Sequence, residues 1–156
     1  MGKKTGKNPT DRGKLGVKRS VVTDCRGVPL GIAIAGANAH DAPLLRATLE
    51  SIPVARPKSA GRSKQHLCLD KGYCGQPTET LARRFRYVLH VPRKGEPPKK
   101  RRAGQRGRRW VVECSHSWTN RARRLQIRWE KKVSNYLAFV HLQFAYIALK
   151  QAKVLG

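Results

Sequence analysis

The stretch that decides the fold is residues 17–35, VKRSVVTDCRGVPLGIAIA. Two runs rich in β-branched and other apolar residues, Val17–Thr23 and Leu30–Ala35, lie on either side of a short polar segment. That segment contains Gly27 and Pro29, which favour a reversal of the chain. The pattern predicts a β-hairpin of two antiparallel strands.

Beyond the hairpin, helices and strands are predicted to alternate. A helix begins at Asp41, which we interpret as its N-cap, with Pro43 in the first turn. The elements that follow are a strand over 66–69, a helix from 76, a strand over 87–92, a helix opened by Trp110 and a last helix over 135–152. A hairpin followed by strand–helix alternation predicts an α/β fold, with a mixed sheet and helices on its faces.

Charge is the strongest compositional feature. The 156 residues contain 34 Lys and Arg against 9 Asp and Glu, a formal net charge of +25. Such a charge favours a polyanionic partner, and nucleic acid is the commonest one. Residues 1–15 are interpreted as a flexible basic arm, and residues 93–109 as a mobile basic loop that can order on DNA.

The sequence shows no secretory signal and no membrane span. The N-terminal residues lack an apolar core. The helix over 135–152 is apolar nearly all round, but its apolar part is shorter than the ~20 residues that a membrane span needs. We interpret it as a buried core helix and expect a cytoplasmic protein.

A carboxylate that is scarce in this chain stands in LCLDKGYCG, residues 67–75. Asp70 directly follows a short apolar strand, and in open α/β sheets the groups that perform chemistry gather at the carboxyl ends of parallel strands. Gly72 lets the backbone turn away, and Lys71 adds a charge that can reach a phosphate.

The second candidate carboxylate is Glu113, in the first turn of the helix RRWVVECSHSW. Arg109 and Asn120 share its helical face. The plain alternative is an exposed acid favoured by the helix dipole. Two carboxylates suit Mg²⁺, and phosphodiester chemistry with two metal ions predicts a third. We expect Asp70 and Glu113 to lie near each other at one end of the sheet.

Five segments, taken in chain order, resemble the transposases of the IS5 group of bacterial insertion sequences. They are NPTDRGKLGVKR, GANAHDAP, LDKGYCG, RRWVVECSHSWTNRARRL and RWEKK..NYLAF. The resemblance implies an RNase H-like catalytic domain over 16–156, of the DDE superfamily. It also implies DNA strand cleavage and strand transfer with Mg²⁺, or Mn²⁺ in its place, held by two aspartates and a glutamate.

The resemblance assigns the second aspartate to Asp70 and the glutamate to Glu113. Its Tyr-x-x-Arg-x-x-x-Glu-x-x-x-x-x-x-Lys signature matches at Arg109 and Glu113 but has Arg106 in place of Tyr and Asn120 in place of Lys. The residues expected at DNA are Lys71, Lys99, Lys100, Arg101, Arg102, Arg109, Asn120 and Arg121.

The first aspartate of the family lies on a strand upstream of NPTDRGK, so it and its strand are expected to be missing from this chain. That strand would be central, between the hairpin and the Asp70 strand. Asp41 is geometrically possible as a substitute but is already explained as an N-cap, Asp24 lies at the hairpin turn and Asp11 in the arm, so none of the three is a good substitute. We therefore interpret the chain as the C-terminal part of a transposase, which is inactive alone. It would be either a frameshift partner of an upstream reading frame or a remnant.

Two other functions fit the composition. One is a non-enzymatic basic nucleic-acid-binding protein, and the other is a repair or restriction nuclease on a related fold. For the transposase interpretation, the resemblance further implies a homo-oligomer on the paired ends of double-stranded insertion-sequence DNA, associated with the bacterial nucleoid.

Overall fold

The computed structural model describes residues 4–56, 64–92 and 110–154. Its strands are β1 Gly6–Lys7, β2 Leu15–Thr23, β3 Pro29–Gly36, β4 His66–Cys68 and β5 Val88–His90. Its helices are α1 Asp41–Glu50, α2 Gln76–Arg84, α3 Trp110–Asn120, α4 Arg123–Gln126 and α5 Val133–Gln151, with a 3₁₀ turn at Lys71–Tyr73. The predicted α/β fold with flanking helices is confirmed.

The predicted hairpin is formed by β2 and β3, which pair in antiparallel register from Val17 opposite Gly36 to Val22 opposite Gly31. Its turn is closed by Asp24, whose Oδ1 accepts hydrogen bonds from the backbone N–H groups of Arg26 at 2.9 Å and Val28 at 2.8 Å. Gly27 has φ +90°, a conformation that other residues rarely adopt. Of the two predicted turn residues, Gly27 therefore lies in the turn, whereas Pro29 begins β3.

The predicted flexible arm is partly ordered. Gly6–Lys7 forms β1, which pairs antiparallel with Gly16 and Leu15 of β2. Gly6 also lies close to Asn38: a Cβ on Gly6 would lie 1.8 Å from Asn38 Oδ1, so the Asn38 side chain would have to move. These two residues therefore take part in a strand, and the flexibility of the arm as a whole stays a prediction.

The strands form two ladders in the described part of the chain. One contains β1, β2 and β3, and the other is the parallel pair β4–β5. Between residues 17 and 23, β2 pairs only with β3 among the described residues, so its other edge is unpaired there. We call this the free edge of β2. The predicted mixture of parallel and antiparallel strands is present, but as two ladders within these residues.

Two apolar clusters lie on opposite faces of the hairpin. On one face, Ile32 and Ile34 pack against α4 and α5. On the other, α1 contributes Leu45 and Leu49, which pack with Leu67 of β4. Because α1 also contacts β2 and β3, it connects the two ladders through this second cluster.

The last helix departs from the prediction of a buried core helix. Only one side of α5 is buried, through Tyr136, Val140, Phe144 and Ile147. The opposite side exposes large apolar side chains, including Leu142 and Tyr146. The reason is that the hairpin provides one layer for the helix to pack on, and no second layer covers it among the described residues. In that part of the chain, no helix has the length and apolarity needed to cross a membrane.

Candidate active site

Asp70 lies where the sequence predicted, just beyond the carboxyl end of β4. Since β4 and β5 are parallel, this is the edge at which α/β folds gather reactive groups. Asp70 caps the 3₁₀ turn: its Oδ1 accepts a hydrogen bond of 2.7 Å from the backbone N–H of Lys71. This contact fixes one carboxylate oxygen and leaves the side chain exposed at the surface.

Tyr73 ties the Asp70 segment to the hairpin. Its hydroxyl lies close enough to the Ser20 side chain in β2 for that side chain to act on its pKa, and its ring packs in the cluster of Leu45, Leu49 and Leu67. The Thr48 hydroxyl of α1 donates to Ser20 Oγ at 2.8 Å. Burial raises the pKa of Tyr73, and the nearby charges of Asp41 and Asp70 raise it further, whereas the Ser20 side chain acts in the opposite direction. We call Ser20, Thr48 and Tyr73 the hydroxyl cluster.

Asp41 is not the N-cap that the sequence predicted. His40 occupies that position, and Asp41 is the first residue of α1. Its Oδ1 lies 3.2 Å from Lys18 Nζ, which also donates to the carbonyl of Ala39 at 2.6 Å. Asp41 and Asp70 both act on the pKa of Tyr73, so both lie within electrostatic range of its hydroxyl.

Glu113 lies on α3, in its first turn, and is exposed. The helix is held to the hairpin at two points. The Ser115 hydroxyl donates to the carbonyl of Gly27, and Arg19 Nη2 donates to Asn120 Oδ1 at 2.7 Å. Because successive side chains of a strand point to opposite faces, Arg19 and Ser20 place α3 and α1 on opposite sides of β2.

The two predicted metal ligands are therefore carried by segments on opposite sides of one strand. The Asp70 segment packs on the Ser20 side and α3 packs on the Arg19 side. Their expected proximity at one end of the sheet stays a prediction. In residues 4–56, 64–92 and 110–154, no group of three or more His, Cys, Asp or Glu side chains is arranged to hold a metal ion.

The residues predicted to contact DNA fall into three groups. Lys71 and Arg121 are exposed. Asn120 is half-buried and its Oδ1 is occupied by Arg19, so the structure gives it a contact within the protein, and a role at DNA stays a prediction. The remaining residues lie outside the described ranges: Lys99, Lys100, Arg101, Arg102 and Arg109.

Sequence reasoning missed Arg19 and His116. Arg19 Nη1 is buried and has no hydrogen-bond partner among the described residues. Burial lowers the pKa of His116, and the positive charge of Arg19 lowers it further. The signal was present: Arg19 alternates with Val17 and Val21, which pack against the core, so it occupies an inward position of the strand.

Two comparisons with known proteins both indicate a transposase. Residues 1–148 match the family model described as a transposase DDE domain. The chain is also 36% identical over 147 residues to a protein of Burkholderia cepacia named as a putative transposase for insertion sequence element IS402. That alignment covers 89% of the chain and 65% of the relative, so the chain spans a little under two thirds of the relative's length. No solved structure matches.

Proposed function

The chain belongs to the transposase DDE domain family, and from that premise we propose that it is the part of an insertion-sequence transposase that supplies two acidic ligands and most of the DNA affinity. The IS5-group blocks in the sequence support this assignment. The single observation that carries it is the position of Asp70, at the carboxyl edge of the β4–β5 ladder within the matched residues.

Domains of this family use divalent metal ions. Asp70 and Glu113 are the carboxylates proposed to bind one here, as Mg²⁺, with Mn²⁺ as a substitute. When bound, such an ion polarises the scissile phosphodiester and activates the attacking oxygen. The donor set of the described residues fits only in part, because two carboxylates do not complete a site for two ions.

The third carboxylate is proposed to come from an upstream strand. The free edge of β2 offers backbone groups with which such a strand could pair. A strand paired there would satisfy the unpaired backbone groups of β2 and would place its own acid between the two sides. That strand would belong to an upstream segment or to an upstream reading-frame product.

The chain's own residues would position the site. The backbone N–H of Lys71 orients Asp70, and the hydroxyl cluster holds the Asp70 turn against β2. Exposed Lys71 can contact a DNA phosphate beside that carboxylate. Glu113, on the opposite side of β2, is oriented by α3, whose contacts with Arg19 and Gly27 fix the helix on the hairpin.

The net charge of +25 supports double-stranded DNA as the partner. The ends of an insertion sequence are the proposed substrate, and binding of paired ends by more than one copy of the chain is proposed with it. The bacterial cytoplasm, in association with the nucleoid, is the proposed location.

The catalytic proposal is tested by a cleavage assay on terminal-repeat DNA with Mg²⁺. The chain alone should bind the DNA without cutting it, and the chain joined to the upstream segment should cut and join strands. Activity of the chain alone that disappears on Asp41→Asn would contradict the proposal and would make Asp41 the third ligand.

The DNA-binding proposal is tested by the salt dependence of affinity. The slope of log affinity against log salt changes by about 0.9 for each phosphate neutralised. Alanine at Lys99, Lys100, Arg101 and Arg102 should flatten this slope. A control with the same loss of charge is alanine at Arg83, Arg84, Arg86 and Lys150, which should change it less. Equal slopes for the two variants would remove the basic loop from the interface.

The charge by itself also supports a basic nucleic-acid-binding protein without catalysis. The same assays separate the two functions. Tight, salt-dependent binding together with no cleavage by the joined protein would favour the binding protein. Cleavage that does not depend on terminal repeats would favour a nuclease on a related fold.

A further inference from the structure

The helix α5 has two apolar faces. One packs on the hairpin through Tyr136, Val140, Phe144 and Ile147. The other is formed by exposed residues over three turns, and we call it the outer face of α5: Ala138, Phe139, Leu142, Ala145, Tyr146 and Leu149. Leu142 is 68% exposed and Tyr146 50% exposed. Monomeric proteins rarely leave such a continuous apolar patch in water.

The outer face points away from the sheet. At about 100° per residue, its centre lies roughly 160° around the helix from the centre of the buried face. A strand that paired with the free edge of β2 would extend the sheet in its own plane. Such a strand would not reach the outer face, so completing the sheet does not account for the exposed side chains.

The spacing along the outer face is that of a helix–helix seam. Its large residues are Phe139, Leu142, Tyr146 and Leu149, separated by three, four and three positions. This alternation keeps apolar side chains on the line along which two helices pack. Ala138 and Ala145 lie beside the seam and are small enough to let a second helix approach closely.

The near absence of charge on α5 indicates which partner its outer face fits. Val133–Gln151 contains no acidic residue, and its only Lys or Arg is Lys150. Nucleic acid therefore finds almost no cation on this face. Arg124 lies 4.6 Å from the centroid of the Phe139 ring, but it already forms an ion pair with Glu130 at 2.8 Å. Two copies of a +25 chain repel each other least where such nearly uncharged faces meet.

We propose that the outer face of α5 is the surface on which a second copy of this chain docks, with α5 packed against its symmetry mate about a two-fold axis. The same patch then serves both copies, as in an isologous dimer. About ten helical residues per copy make a small interface, below about 1,200 Å², so the dimer is weak and transient in free solution. The proposal requires neither the metal site nor the third carboxylate.

Sedimentation velocity of the full chain, freed of nucleic acid, tests the proposal. The wild type should show a concentration-dependent monomer–dimer equilibrium. Leu142→Glu should weaken dimerisation by roughly tenfold or more, because it places two like charges in the seam. The matched control is Gln151→Glu, which introduces the same charge at an exposed position outside the outer face. It should leave the equilibrium unchanged.

A second variant protects the test against loss of folding. Tyr146→Ser removes an exposed aromatic ring without adding charge, and it should also weaken the dimer while far-UV circular dichroism stays native. A chain that is monomeric at all concentrations would overturn the proposal. So would association that Leu142→Glu and Tyr146→Ser leave intact, or association that disappears once nucleic acid is digested.

A second experiment would reveal whether a segment of the same polypeptide covers the outer face of α5 instead. If the chain joined to its upstream segment is monomeric, and the amides of α5 beneath the outer face become more protected from hydrogen exchange, the cover is intramolecular. That result would overturn docking of a second copy while leaving the proposed transposase function intact.

Discussion

The two sides of β2 are built by different chemistry. On the Ser20 side, neutral hydroxyl groups bond to one another and hold α1 and the Asp70 turn. On the Arg19 side, a guanidinium holds α3 through Asn120, and one of its nitrogens is buried without a partner among the described residues. Among the described residues, no buried side-chain polar atom of the Ser20 side lacks a hydrogen-bond partner, whereas the Arg19 side still offers a donor.

This difference shows which side of β2 has formed its hydrogen bonds and which side has a donor that still needs an acceptor. An unsatisfied buried donor costs about 1–3 kcal/mol, and a hydrogen bond made to it recovers much of that cost. The Arg19 side is thus the one that gains from an additional acceptor near β2. Asp70 is held by the completed side, and Glu113 stands on the helix that the incomplete side positions.

The largest expected effect comes from the two carboxylates themselves. In the chain joined to the proposed upstream segment, Asp70→Asn or Glu113→Gln should lower the cleavage rate by roughly 10³-fold or more, since each removes a proposed metal ligand that would act in the transition state. Cleavage kinetics with Mg²⁺ measure this effect.

Affinity for DNA should stay nearly constant in both variants. The matched control is Asp11→Asn, because Asp11 is an exposed carboxylate that pairs with Lys14. If Glu113→Gln retained full activity while Asp70→Asn did not, the two sides of β2 would not share one site.

The next largest effect concerns the hydroxyl cluster. Thr48 is 2% exposed, and Thr48→Val removes its hydrogen bond to Ser20 while nearly keeping its volume. The free energy of unfolding should fall by about 1–2 kcal/mol, as measured in urea. Thr80→Val, at an exposed position of α2, is the control and should change it by less than about 0.5 kcal/mol. Equal effects would mean that the cluster does not stabilise the Ser20 side.

The two sides of β2 should also change the stability in opposite directions as the pH rises. The pKa of His116 is lowered from its ordinary 6.5, so the unfolded chain binds this proton more readily, and stability should fall as pH drops through 6.5. The pKa of Tyr73 is raised from 10.0, so the unfolded chain loses this proton first, and stability should fall as pH rises through 10.0. Urea unfolding across this range measures both falls in stability, which we call the acid limb and the alkaline limb.

Two variants assign the limbs to their residues. His116→Gln should flatten the acid limb alone, and Tyr73→Phe should flatten the alkaline limb alone. Arg19→Met should flatten the acid limb only in part, because burial lowers the pKa of His116 more than Arg19 does. An acid limb that is unchanged in His116→Gln would show that other groups produce it.

The smallest effect is expected at Asp41. Its carboxylate is about half exposed and pairs with Lys18 at 3.2 Å, and exposed pairs contribute about 0–1 kcal/mol. Asp41→Asn should lower the unfolding free energy by less than about 1 kcal/mol, and less still at high salt. A loss as large as that of Thr48→Val would mean that Asp41 helps to fix the Ser20 side.

The amino-acid sequence by itself determined the order of the elements and the hairpin. It also placed Asp70 beyond a strand and Glu113 in the first turn of a helix. These features follow from local rules: residue alternation, turn residues and helix starts act over a few neighbours. The family blocks are equally a property of the sequence.

Only the tertiary structure decided the rest, because it depends on residues that are far apart in the chain. Asp41 pairs with Lys18, 23 positions away, and Arg19 reaches Asn120 across 101 positions. Composition described α5 as apolar all round, but the single layer of the hairpin decided that one of its faces is exposed. Whether a side chain is buried, paired or exposed is set by what the fold packs against it, and no local pattern contains that information.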